Sequence, residues 1–171
     1  MKRSDIKIMP VYFDRYINLI EDIELKEALE KSGAKILEEN KRELIETGDK
    51  VYAEGKWTVK EIIQHLIDSE RVFSYRALRF ARNDKTELPG YDENVFVMES
   101  KAGERDIYDM LYEYDLLRKS TVCLFDSLDE TMLCRTGVCF DKEISVLALG
   151  FTMAGHSLHH TNVIREKYFS L

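Results

Sequence analysis

The chain has 171 residues, a length that suits one domain whose core is large enough to fold without staples. With 44% hydrophobic and 33% charged residues but only 8 Gly and 2 Pro, the composition favours helices, since few residues interrupt them. Acidic side chains outnumber basic ones by 32 to 25, and the net charge of -7 disfavours nucleic-acid binding because it repels phosphate. We therefore expect a single all-α domain over residues 1–171.

The amino terminus and the cysteines bear on the cellular compartment. Residues 1–24 begin basic but soon carry acidic side chains and lack an apolar core, so they do not resemble a secretory signal. No stretch reaches the roughly 18 apolar residues that span a bilayer. Cys123, Cys134 and Cys139 contain no CxxC pair and are expected as buried thiols in a reducing cytosol, although Cys134 and Cys139 could share a metal with histidines. The prediction is a cytoplasmic protein without membrane contact.

The first half of the chain is predicted as short helical pieces followed by two longer helices. Residues 10–30 form the short pieces, and residues 34–46 form a charged amphipathic helix. A stronger start follows at Thr58, where Glu61 completes a capping box. That helix is predicted to run to about Arg82, with apolar residues recurring at steps of three and four.

The second half of the chain is predicted to contribute two more long helices. Residues 83–94 include Pro89–Gly90 and are predicted as a long loop. A helix over about 105–128 follows, then a less regular stretch around 135–137 in which a short strand is possible. The last helix covers about 144–169. Four long helices with one long loop between the second and third predict a four-helix bundle.

The histidines are concentrated in two helices. His156, His159 and His160 fall within five residues of the last helix, and His65 lies inside an earlier one. His156 and His160 are four residues apart and lie on one helix face, where neutral imidazoles can converge on Zn, Ni, Fe or Cu. Three histidine ligands would leave coordination positions open for water or substrate. An isolated HxxxH pair is more often a packing feature, so the site is a hypothesis on His65, His156 and His160.

Other polar residues share the face or the neighbourhood of His65. Arg76 lies about three turns further along the same face, where its guanidinium could hold an anion near the ion, or equally form a salt bridge to a neighbouring helix. Asp68 and Glu70 lie on diverging faces, where one could orient an imidazole, although a solvated surface is favoured for both. His159 lies on a different side from His160 and is expected beside the ligands or exposed.

Two segments carry a family resemblance. They are WTVKEIIQHLIDSERVFSYRALRFARNDKTELPGYDEN and, far downstream, ALGFTMAGHSLHHTNVIREKY. The Trp-led helix with an internal His, the RALRFAR and LPGYDEN segments and the closing GHxxHH helix together resemble the DinB/YfiT-like superfamily, in its branch of DinB-like metal-dependent hydrolases. The resemblance extends from about Tyr16 to Tyr168. It implies a four-helix bundle with an up-down-down-up arrangement, which the short helical pieces predicted over residues 10–30 precede as extra helices at the amino terminus.

The resemblance also implies a site and a class of reaction. It places a metal of Zn or Ni type on His65, His156 and His160, makes Tyr91 and Asn94 candidates for contact with a small-molecule substrate, and suggests a homodimer. Some members of the family use the metal to activate a low-molecular-weight thiol, and others are described as hydrolases. The prediction is therefore a metal-dependent hydrolase or thiol-dependent transferase. The rival is a non-catalytic, stress-related bundle that binds a metal or ligand.

Overall fold

The computed structural model describes all 171 residues and contains nine α-helices and one β-hairpin. Single-turn 3-10 helices cover Arg3–Asp5 and Ala102–Glu104. In chain order the other elements are α1 (Asp14–Ile17), α2 (Leu25–Lys31), α3 (Ala34–Glu38), α4 (Lys41–Thr47), α5 (Val59–Ala81), α6 (Glu93–Glu99), α7 (Ile107–Asp126), α8 (Glu130–Leu133), β1 (Thr136–Cys139), β2 (Lys142–Ser145) and α9 (Val146–Lys167).

The starts of the long helices are set by capping side chains. At α5, the Thr58 hydroxyl accepts a hydrogen bond from the Glu61 backbone N–H at 3.3 Å, and the Glu61 carboxylate accepts one from the Thr58 N–H at 2.7 Å. The Ser145 hydroxyl caps α9 by accepting from the Ala148 N–H at 3.1 Å. These bonds satisfy backbone donors that have no partner inside the helix. The predicted capping box of α5 is therefore confirmed.

Helices α5 and α7 run parallel to each other. Arg105, just before α7, donates to the Gln64 side-chain carbonyl at 2.6 Å, and Ser74 lies 3.0 Å from Thr121 between hydroxyl oxygens. Since residue numbers rise together along both helices, their directions are the same. A parallel pair requires a connection that returns along the bundle, and residues 82–106 with α6 supply it.

Helix α9 runs antiparallel to α5, and the segment α2–α4 runs antiparallel to α7. The Tyr168 hydroxyl at the end of α9 donates to the carbonyl of Trp57, which precedes α5, at 2.5 Å. Lys26 pairs with Asp126 at the end of α7, while the Ser32 carbonyl accepts from Arg118 further back along α7. The order is therefore up-down-down-up, and the predicted all-α four-helix bundle is confirmed.

The first helix of the bundle is broken, unlike the continuous helix predicted over residues 34–46. Helix α3 ends at Glu38 and α4 begins at Lys41, because the Asn40 side chain donates to the Ile36 carbonyl at 2.9 Å and replaces a backbone donor there. Before the bundle, α1 packs on α9 at Gly155, where an added Cβ would collide with the backbone of Tyr16. The extra helices at the amino terminus are thus present, in shorter pieces than the periodicity indicated.

The predicted loop between the second and third long helices is partly helical. Asp92 starts α6 by accepting hydrogen bonds from the N–H groups of Asn94 at 2.9 Å and Val95 at 3.1 Å. Sequence periodicity did not predict this helix because only Val97 of its seven residues is buried.

The possible strand predicted near residues 135–137 is the first half of the β1–β2 hairpin. Its two-residue turn, Phe140–Asp141, has φ angles of 53° and 55°, as tight hairpin turns require. The Leu88 N–H donates to the Val138 carbonyl at 3.0 Å and thereby ties the 83–92 loop to the hairpin. This contact fixes one wall of the cavity described below.

The three cysteines differ in their burial. Cys139 is buried as expected, but Cys123 is exposed and Cys134 only half-buried, so the prediction of three buried thiols is wrong for these two. Cys123 lies on the exposed face of α7, outside its apolar stripe, and Cys134 follows the end of the short helix α8. A membrane-spanning segment needs a long helix of high hydropathy, and the structure contains no such helix.

A buried ion pair joins the two parallel helices. The Arg118 guanidinium makes two hydrogen bonds of 2.7 Å to the Glu70 carboxylate, and both side chains are buried. The remaining donors of Arg118 bond the Leu29 carbonyl at 2.9 Å and the Ser32 and Ser157 hydroxyls at 2.8 and 2.9 Å. One guanidinium thus connects α2, α5, α7 and α9. Glu70 was expected at a solvated surface, and that expectation is wrong because Arg118 compensates its charge inside the bundle.

We expect Glu70→Leu to destabilise the chain by about 3–5 kcal/mol, because it leaves the Arg118 guanidinium buried without a counter-charge. The double variant Glu70→Leu, Arg118→Met should recover much of that loss, since neither charge then remains. Urea unfolding followed by circular dichroism measures both effects.

The matched control is Glu46→Gln, which removes the exposed partner of Arg42 and should leave the unfolding midpoint unchanged. Equal midpoints for Glu70→Leu and Glu46→Gln would contradict a structural role for the buried pair.

Candidate metal centre

The antiparallel packing of α5 and α9 brings three histidines together. The Nε2 atom of His156 lies 3.1 Å from Nε2 of His65 and 3.2 Å from Nε2 of His160. All three ligand atoms lie within 4.8 Å of one another. His156 and His160 come from one face of α9, as their spacing predicted, and His65 faces them from 91 residues away in sequence.

The spacing of the nitrogens fits a metal ion better than it fits hydrogen bonds. In a tetrahedral site with metal–nitrogen bonds of roughly 2.0–2.1 Å, neighbouring nitrogens are about 3.3 Å apart. The Nε2 atom of an imidazole has only one in-plane direction in which to donate or accept. Nε2 of His156 therefore cannot form good hydrogen bonds to His65 and His160 together, whereas one cation can accept all three lone pairs.

The three imidazoles are neutral in the folded chain. Burial lowers the pKa of His65 from 6.5 to about 4. Burial, together with the neighbouring imidazoles, holds the pKa values of His156 and His160 well below the usual range. Neutral imidazole is the form that binds a metal, so no proton has to leave before an ion can enter near neutral pH.

Aromatic rings surround the cluster. The ring of Trp57 lies 4.9 Å from that of His65, and the rings of Tyr16 and Phe73 lie 5.0 and 5.9 Å from that of His156, centroid to centroid. The three histidines also line one wall of a cavity of about 170 Å³. The nitrogens therefore converge from the protein side while the opposite side opens onto space that a small molecule can enter.

Two of the three predicted substrate-binding residues line this same cavity. Arg76 is buried and donates to the Pro89 carbonyl at 2.8 Å, and the Tyr91 hydroxyl lies 2.8 Å from the Ser69 hydroxyl. Burial raises the pKa of Tyr91, so its phenol stays neutral. The alternative of a salt bridge from Arg76 to a neighbouring helix is not realised, because no carboxylate of the chain lies within 4.0 Å of it.

Asn94 lies outside the inner cavity, whereas His159 lines its edge next to His160. Asn94 is exposed on α6 and lines an outer groove with Tyr91 as well as a side cleft with His159 and His160. His159 is exposed, and its ring lies 5.0 Å from that of His160 and 5.5 Å from that of Tyr16. The structure thus brings His159 beside the cluster without adding it to the convergent set, and Asn94 stays a predicted contact of the rim.

The two acidic residues near His65 do not contact an imidazole. Glu70 binds Arg118, and Asp68 accepts from the Gln64 amide at 3.0 Å. Both cysteines that could have shared the metal also lie outside the histidine cluster. The candidate ligand set therefore consists of histidines alone.

Sequence reasoning missed most of the aromatic wall. Tyr16 and Arg15 come from α1, far from the histidines in sequence, and no local pattern marks them. Phe73 had a usable signal, because it follows His65 by eight residues on the same face of α5, but its apolar character indicates core equally well.

Comparisons with known proteins agree with this architecture. The family model of the DinB superfamily matches residues 15–164. Among solved structures, YfiT from Bacillus subtilis, described as a probable metal-dependent hydrolase with an unusual four-helix bundle topology, superposes with a TM-score of 0.69 at 22% sequence identity. The match covers 90% of this chain and 84% of YfiT. No curated protein matches the chain. The predicted resemblance is confirmed: this chain belongs to the DinB superfamily.

Proposed function

We propose that this protein is a metal-dependent enzyme in which His65, His156 and His160 hold one divalent ion, Zn or Ni, beside a small-molecule site. The observation that carries the proposal is the convergence of three neutral Nε2 atoms on one wall of an accessible cavity. Three protein ligands leave coordination positions free, which is the arrangement of catalytic rather than structural sites. The substrate would occupy the cavity on the free side.

The reaction we propose is hydrolysis or transfer of a low-molecular-weight thiol to a small electrophile. A bound divalent ion lowers the pKa of a water or thiol and so supplies a nucleophile at neutral pH. Trp57, Tyr16 and Phe73 would exclude bulk water from the sides of the imidazoles. Tyr91 and Ser69 would present neutral hydroxyl groups to the substrate.

The placement of acidic groups favours the thiol version. Glu93 is the one carboxylate that lines the inner cavity, and it is exposed in the first turn of α6. A water nucleophile benefits from a positioned general base, whereas a bound thiolate needs none. We therefore rank thiol transfer ahead of hydrolysis.

The metal site is tested by elemental analysis of protein purified without a histidine tag. We expect about one Zn or Ni per chain in the wild type and almost none in His156→Ala, which removes the nitrogen nearest to both others. His159→Ala is the matched control on the same helix and should keep its metal.

Circular dichroism would show whether His156→Ala still folds, so that loss of metal can be assigned to the ligand. A folded wild type that takes up no Zn or Ni on titration would contradict the proposal. A loaded wild type that turns over no thiol or hydrolysable ester would favour the non-catalytic binding module.

The buried histidines also predict a pH dependence for the metal-free chain. The pKa of His65 is about 4 when folded and 6.5 when unfolded, so between these values the unfolded chain binds more protons. The contribution of His65 is complete above pH 6.5, and the free energy of unfolding falls as the pH drops from there toward about 4. Urea unfolding of chelator-treated protein across this range measures the decrease.

His65→Gln isolates this contribution, because glutamine does not titrate while the carboxylates of the chain titrate equally in both proteins. The variant should lose less stability than the wild type over the same pH interval. Identical pH profiles would show that His65 is not buried in its neutral form.

A further inference from the structure

Arg76 is a buried cation without a counter-ion. Its side chain is only 4% exposed, and of its five N–H donors one bonds the Pro89 carbonyl at 2.8 Å. No carboxylate oxygen of the chain lies within 4.0 Å of it. The guanidinium lines the inner cavity together with the three histidines. A buried charge in this state costs free energy unless an anion compensates it.

Arg118, the other buried arginine, is an internal comparison for Arg76 because its charge has a purely structural role. Arg118 is 5% exposed, almost the same as Arg76, yet it has a two-pronged bond to Glu70 and further bonds to backbone and hydroxyl oxygens. The two arginines are therefore equally buried, but only Arg118 has a carboxylate that neutralises its charge. All three guanidinium nitrogens of Arg118 donate to protein oxygens, whereas only one nitrogen of Arg76 does so.

The groups around Arg76 do not neutralise it. Burial raises the pKa of the Cys139 thiol and of the Tyr91 phenol, so both stay uncharged near neutral pH. Glu93 lines the same cavity but is exposed at its rim and lies beyond ion-pair distance. The remaining cation of the wall, Arg15, stacks on Tyr12 with its guanidinium carbon 4.1 Å from the ring centroid. The inner cavity therefore carries an excess of positive charge in an acidic protein.

We propose that the substrate carries a carboxylate, and that Arg76 is the residue that binds it. The inference deepens the proposed function, since it rests on that function for the assignment of the cavity as a substrate site. A guanidinium with free donors matches the two oxygens of a carboxylate in a bidentate geometry. The carboxylate of the substrate would supply the negative charge that no residue of the chain provides to Arg76.

The carboxylate and the group that reaches the metal are different parts of the substrate. Arg76 follows His65 by 11 residues, roughly 16 Å along the axis of α5. The Phe73 ring lies near both groups: its centroid is 5.8 Å from the Arg76 guanidinium carbon and 5.9 Å from the centroid of the His156 ring. The cavity of about 170 Å³ suits a small molecule, since a cavity of roughly 150 Å³ accepts benzene.

The outer groove favours a carboxylate over a phosphate. The groove adjoins the inner cavity, with which it shares Tyr91, and it is lined by four acidic residues and no basic one: Glu87, Asp92, Glu93 and Asp141. These carboxylates would repel a dianionic phosphate ester about twice as strongly as a singly charged carboxylate. The acidic groove therefore favours a singly charged anion over a doubly charged one at the inner cavity.

Isothermal titration with three matched probes tests the proposal: benzoate, its neutral counterpart benzamide, and phenyl phosphate. The 171-residue chain is titrated loaded with Zn and again after treatment with a chelator, so that direct binding of a carboxylate to the metal is separated from binding to Arg76. We expect benzoate to bind roughly tenfold or more tightly than benzamide in both forms. Arg76→Gln should abolish that preference, and Arg76→Lys should retain part of it.

Arg82→Gln is the matched control, because it removes the same charge from an exposed position just after α5 and should leave the preference intact. A preference for benzoate that survives in Arg76→Gln, or that exists only in the metal-loaded form, would overturn the proposal. Tighter binding of phenyl phosphate, or no benzoate binding at all, would do the same. If the wild type binds no metal yet shows the Arg76-dependent preference, the proposed function fails, and Arg76 remains the residue that binds a carboxylate in this cavity.

A stability measurement separates an anion anchor from a residue that only supports the fold. Arg76→Met should leave the urea midpoint of the metal-free chain unchanged or raise it, since it removes an uncompensated buried charge. Benzoate should raise the midpoint of the wild type and not that of Arg76→Met. A large loss of stability in Arg76→Met, together with equal protection by benzoate in both proteins, would assign Arg76 to the fold instead.

Discussion

The bonds between Arg118 and Glu70 are the constraint on which the arrangement of the bundle depends. They hold α5 and α7 side by side in the same direction, although parallel neighbours require a long return connection. The same guanidinium bonds Ser157, the residue next to His156, at 2.9 Å. The ion pair therefore also sets the height of α9 against α5, and with it the meeting of His156 and His65. Loss of Glu70 would disturb the fold and the candidate metal centre together.

The interior thus holds two kinds of polar group: those that are fully hydrogen-bonded within the protein, and those with donors or lone pairs that face the cavity without a protein partner. Around Arg118 every polar atom has a partner inside the protein, which is the condition under which a buried charge is tolerated. Around the cavity, three imidazole lone pairs converge without donors, and Arg76 keeps donors without an acceptor. The free groups are complementary to ligands, namely a cation at the histidines and an anion at the arginine. This contrast within one bundle is the main physical argument that the cavity is a binding site.

Much of the candidate site could be predicted from sequence because its signals are local. The HxxxH spacing places His156 and His160 on one helix face whatever else the chain does, and the capping box at Thr58 sets the phase of the helix that carries His65. The broken first helix at Asn40 and the short helix α6 were missed. Each depends on the hydrogen bonds of one side chain, Asn40 or Asp92, which override or replace hydrophobic periodicity.

The all-helical class, the acidic net charge and the pairing of His156 with His160 follow from the amino-acid sequence, because each depends on composition or on the 3.6-residue repeat. The packing of the helices brings His65 to the other two histidines across 91 residues, and it buries Glu70 rather than Asp68 against Arg118. The same packing leaves Arg76 without an acidic partner. These are contacts between helices, and they depend on how helices of the same periodicity are directed and aligned, which no local pattern encodes.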